Sequence, residues 1–174
     1  NEDPQSSIMP SGQLFAYADS SWADVIPACK STYSYFLMLN NAAISWRSAL
    51  SSTITTSTAA DELIELCSCA QEVAWARKFL SELGFPQLAP TTIFEDNAAA
   101  KAIAEQSNFK GKNKHFDTRW SFICEFIERG IIRIEKIPRR LQLADIGTGA
   151  RPFPDYYCLS QHIYGESSSQ DVQP

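Results

Sequence analysis

Long apolar runs, histidine-rich segments and paired cysteines are all missing from this sequence. No apolar run approaches the roughly 20 residues that a membrane-spanning helix needs, so we expect no membrane partner. Only two histidines are present, and the five cysteines at positions 29, 67, 69, 124 and 158 include no C-x-x-C pair. These absences argue against a zinc site and against a disulfide framework. We expect free, buried thiols, with Cys67 and Cys69 on different faces of a helix.

An excess of positive charge is also missing, because 15 Lys and Arg face 20 Asp and Glu, for a formal net charge of −5. Nucleic-acid-binding domains are usually basic, since binding releases counterions from the phosphates. The acidic balance therefore argues mildly against such a function, unless bound cations reverse the local field of the carboxylates. The 44% hydrophobic and 20% charged residues are ordinary values and predict one globular domain with a sizeable core.

Hydrophobic periodicity predicts a mixed α/β fold. Polar stretches predict flexible tails at 1–12 and 166–174, which leaves a folded domain at 13–165. Strands are predicted at 13–18, 31–39, 43–48, 91–95 and 131–137, and helices at 58–83, 98–105, 113–129, 141–148 (or a turn) and 152–164. Three leading antiparallel strands followed by helical crossovers predict a mixed five-stranded sheet, with the later strands parallel to the first and helices on its faces.

Four acidic residues stand at special places in this pattern. Asp19 is predicted to end the first strand and Asp96 the fourth, while Glu62 lies in the predicted first turn of the long helix. Asp145 follows the fifth strand. Ligand sites in open α/β sheets lie outside the carboxyl ends of the strands, so we expect the four carboxylates to share one crevice. The alternative for any one of them is an ordinary cap or turn former.

Grouped carboxylates repel one another and are costly unless cations neutralise them. Oxygen ligands alone suit Mg²⁺, with Mn²⁺ as a substitute. Two such ions about 3.5–4 Å apart can clamp a scissile phosphate, one activating water and the other stabilising the leaving 3′ oxygen. The sequence therefore predicts a site for two divalent metal ions at Asp19, Glu62, Asp96 and Asp145.

The segments around these acids resemble the motifs of ribonuclease H domains from the polyproteins of copia-type retrotransposons. The matching segments, in order, are 17–23 (YADSSWA), 30–32 (KST), 43–48 (AISWRS), 57–62 (STAADE), 96–97 (DN), 114–119 (KHFDTR) and 143–148 (LADIGT). The resemblance covers nearly all of residues 14–164 and implies a ribonuclease-H-like fold. It implies that the same four acids are the catalytic, metal-binding set of an endonuclease.

The activity implied by the resemblance is hydrolysis of the RNA strand of RNA–DNA hybrids during retrotransposon replication, leaving 3′-hydroxyl and 5′-phosphate ends. A reverse transcriptase domain of the same polyprotein is the implied protein partner. The implied location is the cytoplasm, within a replication particle, with the nucleus as the alternative.

Basic and polar side chains are needed to contact phosphates and 2′-hydroxyl groups of a hybrid. The candidates are Lys30, Ser31, Arg47, Asn97, Lys112 and Lys114. A solvated loop is as good an interpretation of the basic run at 110–114. Among the tryptophans, Trp22 and Trp46 are predicted to belong to the core, and Trp75 and Trp120 to helix packing.

Two other functions remain open. Where the related domains have T-K-P-L, residues 148–151 are T-G-A-R; this departure and the acidic charge fit a domesticated, non-catalytic module that binds nucleic acid or a protein partner. The other alternative is a different nuclease of the same fold, such as an exonuclease. Integrases and transposases place their catalytic Glu last, whereas Glu62 is the second acid here.

Overall fold

The computed structural model describes residues 11–25, 30–52, 58–98, 102 and 114–164. Its strands are β1 (Leu14–Val25), β2 (Lys30–Leu39), β3 (Ala42–Leu50), β4 (Thr91–Glu95) and β5 (Ile132–Lys136). Its helices are α1 (Thr58–Glu82), α2 (Lys114–Glu128), α3 (Asp145–Thr148) and α4 (Phe153–Tyr164), with a 3₁₀ turn at Arg139–Leu141. The predicted helix at 98–105 and both predicted tails lie largely outside the described residues.

The five strands form one sheet in the order β3-β2-β1-β4-β5. β1 pairs antiparallel with β2, and β2 with β3, whereas β1–β4 and β4–β5 are parallel. The predicted mixed sheet with three leading antiparallel strands is therefore confirmed. The tight β2–β3 connection passes through Asn40 and Asn41, whose positive φ values of 52° and 63° suit a two-residue hairpin turn.

Both faces of the sheet are covered, and the alternation of β1 shows how. Leu14, Ala16 and Ala18 face α1 and pack with its apolar residues in one buried cluster, the α1-side cluster. Phe15 and Tyr17 point the other way, into a second cluster completed by Phe94 of β4 and residues 143–144 and 159. Successive strand residues point to opposite faces, so a strand buried on both sides is apolar throughout.

Helix α1 is buried more broadly than an amphipathic surface helix. Cys67 and Cys69 were predicted on different faces, and both are buried in the α1-side cluster, because the helix packs against the sheet and also against α2. The expectation of buried thiols fails at Cys158, which is exposed, and Cys124 is half-buried. Cys29 lies outside the described residues.

Three tryptophan predictions can be compared with the structure. Trp46 is 65% exposed, so its assignment to the core is wrong; it lies on the edge strand β3, which has a neighbouring strand on one side only. Trp75 is also exposed and stacks on Phe79 along the outer side of α1, with ring centroids 5.4 Å apart. Trp120 packs against the α1-side cluster, as predicted. The side chain of Trp22 lies outside the described part of the chain.

The first strand is longer than the alternation predicts, because β1 continues past Asp19 to Val25. It stays paired with β2 over this length, with an irregularity in register between Ser21 and Val25. The prediction that Asp19 ends the strand is therefore wrong. Pairing with β4, however, stops at Tyr17, so Asp19 still lies beyond the carboxyl end of the parallel ladder. Within the described ranges, no helix combines the length and apolar character needed to cross a bilayer.

Candidate active site

Four parts of the chain bring acidic side chains to the end of the parallel β1–β4 ladder. Tyr17 and Phe94 form its last pair, and Asp19 and Asp96 each follow two residues later in their own chains. Glu62 was predicted in the first turn of the long helix. It is the fifth residue of α1 and so begins the second turn. Asp145 is the first residue of α3. Asp19, Glu62 and Asp145 are buried.

Asp19 and Asp145 behave as one electrostatic unit. Their carboxyl groups hydrogen-bond to each other, and burial is the largest of the causes that raise the pKa of Asp19 to about 7. The charges of Asp145 and then Asp96 add to this shift, while a hydrogen bond from Thr148 opposes it. Burial also raises the pKa of Asp145, although Arg151 opposes the shift. Ionisation of one carboxyl group therefore disfavours ionisation of the other, unless a nearby cation compensates both negative charges.

Glu62 is held by the residue that follows Asp96. Asn97 Nδ2 donates a hydrogen bond of 2.5 Å to Glu62 Oε1, and Glu62 Oε2 is buried with no hydrogen-bond partner among the described residues. Burial raises the pKa of Glu62 to about 7; the bond from Asn97 opposes the shift, and the charges of Asp96 and Asp61 add to it. The Glu62 carboxylate thus shares the field of Asp96, and one of its oxygens is available as a ligand.

The donor set suits a hard divalent cation, since all four predicted residues offer carboxylate oxygens. The buried, unpartnered Oε2 of Glu62 is the clearest candidate ligand atom. As the side chains stand, however, no three acidic, histidine or cysteine groups in the described ranges converge closely enough to hold a metal ion. In addition, Asp145 Oδ1 is in an ion pair with Arg151 Nη2. The residues fit a cation chemically, but their side chains would have to close around it.

Two further buried carboxylates lie behind the site, and sequence reasoning missed both. Glu65 and Glu95 are 0% and 1% exposed. Burial raises the pKa of each well above its ordinary value, and each is further raised by neighbouring carboxylates of the site. One Glu95 oxygen accepts a 3.1 Å hydrogen bond from the backbone amide of Asn97. Glu65 lies three residues after Glu62 on α1, a spacing that places both on one side of the helix and was the available signal.

A set of hydrogen bonds fixes α3 to the sheet and so positions Asp145 and Asp19. Thr148 Oγ1 donates to Asp19 Oδ2 at 2.8 Å, and Ser21 Oγ donates to the Thr148 carbonyl at 3.2 Å. Ser48 Oγ of β3 donates to the Gly147 carbonyl at 2.6 Å. Thr148 belongs to one of the matched motifs, but its role in holding Asp19 follows only from the three-dimensional structure.

The predicted substrate-contact residues are scattered. Lys30 is the half-buried first residue of β2, and Arg47 is exposed on β3 with its guanidinium 5.6 Å from the centre of the Tyr33 ring. Ser31 is buried and donates a hydrogen bond to Asp61 of α1, and Asn97 binds Glu62 as described above. Lys112 and the side chain of Lys114 lie outside the described residues. None of these placements tests contact with a substrate.

The sheet order and covering helices define a ribonuclease H fold, and solved structures of this class superpose on the chain. LC11-RNase H1, isolated from compost, has a TM-score of 0.57 at 14% identity, covering 77% of this chain and 91% of that one. The same protein in complex with an RNA/DNA hybrid gives a TM-score of 0.55 at 13% identity, covering 78% and 93%. The N-terminal RNase H domain of rv2228c from Mycobacterium tuberculosis gives 0.54 at 13% identity, covering 86% and 96%.

Sequence relatives narrow the class. The retrovirus-related Pol polyprotein from transposon TNT 1-94 of Nicotiana tabacum is 30% identical over 139 residues, which are 80% of this chain and 10% of that protein. The Pol polyprotein from transposon RE2 of Arabidopsis thaliana is 29% identical over 132 residues, covering 76% of this chain and 9% of that protein. No family model matches the chain.

The homologues of this chain are copia-type retrotransposon Pol polyproteins and its structural neighbours are ribonuclease H domains, in agreement with the sequence motifs. The chain spans about a tenth of the length of these polyproteins.

Proposed function

We propose that this chain is an endoribonuclease that hydrolyses the RNA strand of RNA–DNA hybrids with two divalent cations, leaving 3′-hydroxyl and 5′-phosphate ends. The observation that carries the proposal is geometric: Asp19 and Asp96 each follow the last β1–β4 pair by two residues, and the buried Glu62 and Asp145 lie close enough for the charge of Asp96 to act on them. A neighbour of the same fold bound to an RNA/DNA hybrid supports the substrate class.

Asp19, Glu62, Asp96 and Asp145 are the residues that would hold the cations. Bound Mg²⁺ or Mn²⁺ supplies activation of water and charge neutralisation at the scissile phosphate. Thr148 orients the Asp19 carboxylate and Asn97 orients that of Glu62. Burial of these groups strengthens their electrostatic effect on an approaching phosphate–cation pair, because bulk water screens them less.

Lys30, Arg47, Lys112 and Lys114 are the proposed phosphate contacts, and Ser31 and Asn97 the polar ones. The Pol homologues support a role in retrotransposon replication beside a reverse transcriptase domain. We propose a cytoplasmic replication particle as its location, with the nucleus as the alternative.

The test is cleavage of a hybrid whose RNA strand is labelled at an internal position. With Mg²⁺ or Mn²⁺ we expect internal cuts in the RNA strand, loss of activity in Asp19→Asn and Asp96→Asn, and full activity in the control Asp155→Asn. Asp155 lies in the exposed first turn of α4, outside the acidic site. Cleavage that survives both site variants contradicts the proposal, and products released only from strand ends favour an exonuclease.

A non-catalytic module is the second candidate, and two observations favour it. Arg151 already pairs with Asp145, and no three of the groups converge on an ion in the described part of the chain. Hybrid binding measured by fluorescence anisotropy separates the two functions. Binding that needs no divalent cation, combined with no cleavage at any Mn²⁺ concentration, favours the module.

A further inference from the structure

Among the side chains that the structure describes, Arg151 forms the only ion pair that reaches any of the four predicted catalytic carboxylates. Its Nη2 contacts Asp145 Oδ1, and the two side chains are 25% and 4% exposed. The pair is therefore mostly inside the protein, where solvent screens it much less than a surface pair. The structure thus contains a positive charge placed directly on one of the proposed metal ligands.

The surroundings of Asp145 explain why it needs a cation of some kind. Asp19 is hydrogen-bonded to it and the charge of Asp96 acts on it, whereas Arg151 and, second, Arg139 supply the opposing positive charge. A buried carboxylate with like charges on one side is costly if its only close counter-ion is removed. Arg151 therefore provides the compensation that the predicted metal ion would otherwise provide.

The sequence gives this arginine a particular position. α3 ends at Thr148, Gly149 is extended, and Arg151 lies two residues before α4 begins at Phe153. The ion pair therefore joins the first residue of α3 to the connection between α3 and α4.

We propose that Arg151 is a built-in competitor of the divalent cation: its guanidinium holds Asp145 Oδ1 in the cation-free protein and has to be displaced before Asp145 can bind a metal ion. A guanidinium and a metal ion would compete for the negative charge of the same carboxylate, so binding of one weakens binding of the other. The inference rests on the proposed function for the identity of the cation site. It adds that Arg151 sets the cation concentration at which the site fills.

Isothermal titration with Mn²⁺ alone tests this inference on the full chain. Arg151→Gln removes the charge and keeps a polar side chain. Arg129→Gln makes the same change in the turn just after α2, where Arg129 pairs with Glu125 of that helix and both side chains are 62% exposed. We expect Arg151→Gln to bind Mn²⁺ on the order of tenfold more tightly than wild type, as expected for removal of one poorly screened charge. Arg129→Gln should match wild type.

Equal or weaker Mn²⁺ binding in Arg151→Gln overturns the inference, including the case in which neither protein binds the ion. Thermal unfolding gives a second readout. Without divalent ions, Arg151→Gln should melt below wild type, and Mn²⁺ should raise its midpoint by more than it raises that of wild type. An equal rise in both proteins counts against competition.

Arg151→Lys keeps the charge but loses the planar fork of the guanidinium. It should fold even if Arg151→Gln does not, and bind Mn²⁺ at least as tightly as wild type; weaker binding refutes the competitor role. Because these measurements need no substrate, failure of the competitor role and failure of the nuclease proposal give different results. Tighter Mn²⁺ binding in Arg151→Gln without hybrid cleavage would sink the nuclease and leave the competitor role intact.

Discussion

Gly147 is the position where a single added methyl group should separate α3 from the sheet. A Cβ at this residue would lie 2.1 Å from Ser34 Oγ and 2.7 Å from Ser34 Cβ. Rotation of the Ser34 hydroxyl relieves only the first of these contacts, since the Cβ is fixed by the backbone of β2. Gly147→Ala therefore forces α3 away from β2, and with it Asp145 and Thr148.

The magnitude follows from the cost of overpacking, about 1–3 kcal/mol for an extra carbon in a tightly packed site. For a chain of 174 residues each kcal/mol corresponds to roughly 2–4 °C in the unfolding midpoint. We expect a fall of roughly 2–12 °C by differential scanning calorimetry, with hybrid cleavage reduced because the Thr148–Asp19 hydrogen bond is disturbed.

Gly149→Ala is the matched control, two residues away in the same segment. A Cβ at Gly149 meets no atom within 4 Å and its backbone is extended, with φ at −176°. We expect the free energy of unfolding of Gly149→Ala to lie within about 0.5 kcal/mol of that of wild type. The double variant Gly147→Ala/Ser34→Gly should recover part of the loss, because it removes the clashing atoms. A Gly147→Ala protein as stable and as active as Gly149→Ala would refute the close contact of α3 with β2.

Further predictions concern a positioning bond, a loop anchor and pH. Thr148→Val removes the hydroxyl that donates to Asp19 Oδ2 and should lower Mn²⁺ affinity or hybrid cleavage by about 10–100-fold. The control Ser160→Ala on α4 should change neither. Titration curves and cleavage rates equal to those of wild type would contradict the role of Thr148 in orienting Asp19. Arg77 donates to Gln87 O at 2.6 Å and to Ala89 O and Thr91 Oγ1 at 2.8 Å. Arg77→Lys should therefore lower the free energy of unfolding in urea by about 1–3 kcal/mol. A loss no larger than that of the exposed Lys78→Ala counts against this anchoring role. Without divalent cations, the free energy of unfolding should fall as pH rises from about 4 towards 7. The pKa values of Asp19 and Glu62 are raised from 3.8 and 4.5 to about 7. In this pH range the folded protein therefore holds protons that the unfolded chain has released. Midpoints that stay level or rise over this window in wild type, or fall equally in Asp19→Asn, contradict the raised values.

The sheet and the position of Asp96 just after β4 were largely predictable from the sequence. β4 was predicted at its observed bounds, because Pro90 and Asn97 bracket a short β-branched and aromatic run. Asp96 follows that run directly, and the carboxyl ends of parallel strands share one edge of a sheet. What the pattern misjudged was the end of β1: Asp19, Ser20 and Ser21 break the apolar alternation, yet hydrogen bonding to β2 continues through them.

Other features depend on tertiary contacts that local patterns do not encode. Trp46 alternates like a core residue, but the exposure of an edge strand is decided by helices far away in the sequence. Periodicity gives Glu95 no reason to be buried, and the spacing of Glu65 from Glu62 indicates a shared side of α1 but not burial. The path of the chain after α3 likewise decides which residue pairs with Asp145. Arg151 carries no sequence signal for that contact beyond its departure from the related motif.

Anomalous diffraction from crystals soaked in Mn²⁺ tests most directly whether the four acidic side chains form one cation site. We expect strong peaks in the space bounded by Asp19, Glu62, Asp96 and Asp145, with the Asp145 carboxylate turned away from Arg151. Peaks only at the outer surface, with Asp145 still paired to Arg151 at saturating Mn²⁺, would contradict a shared cation site.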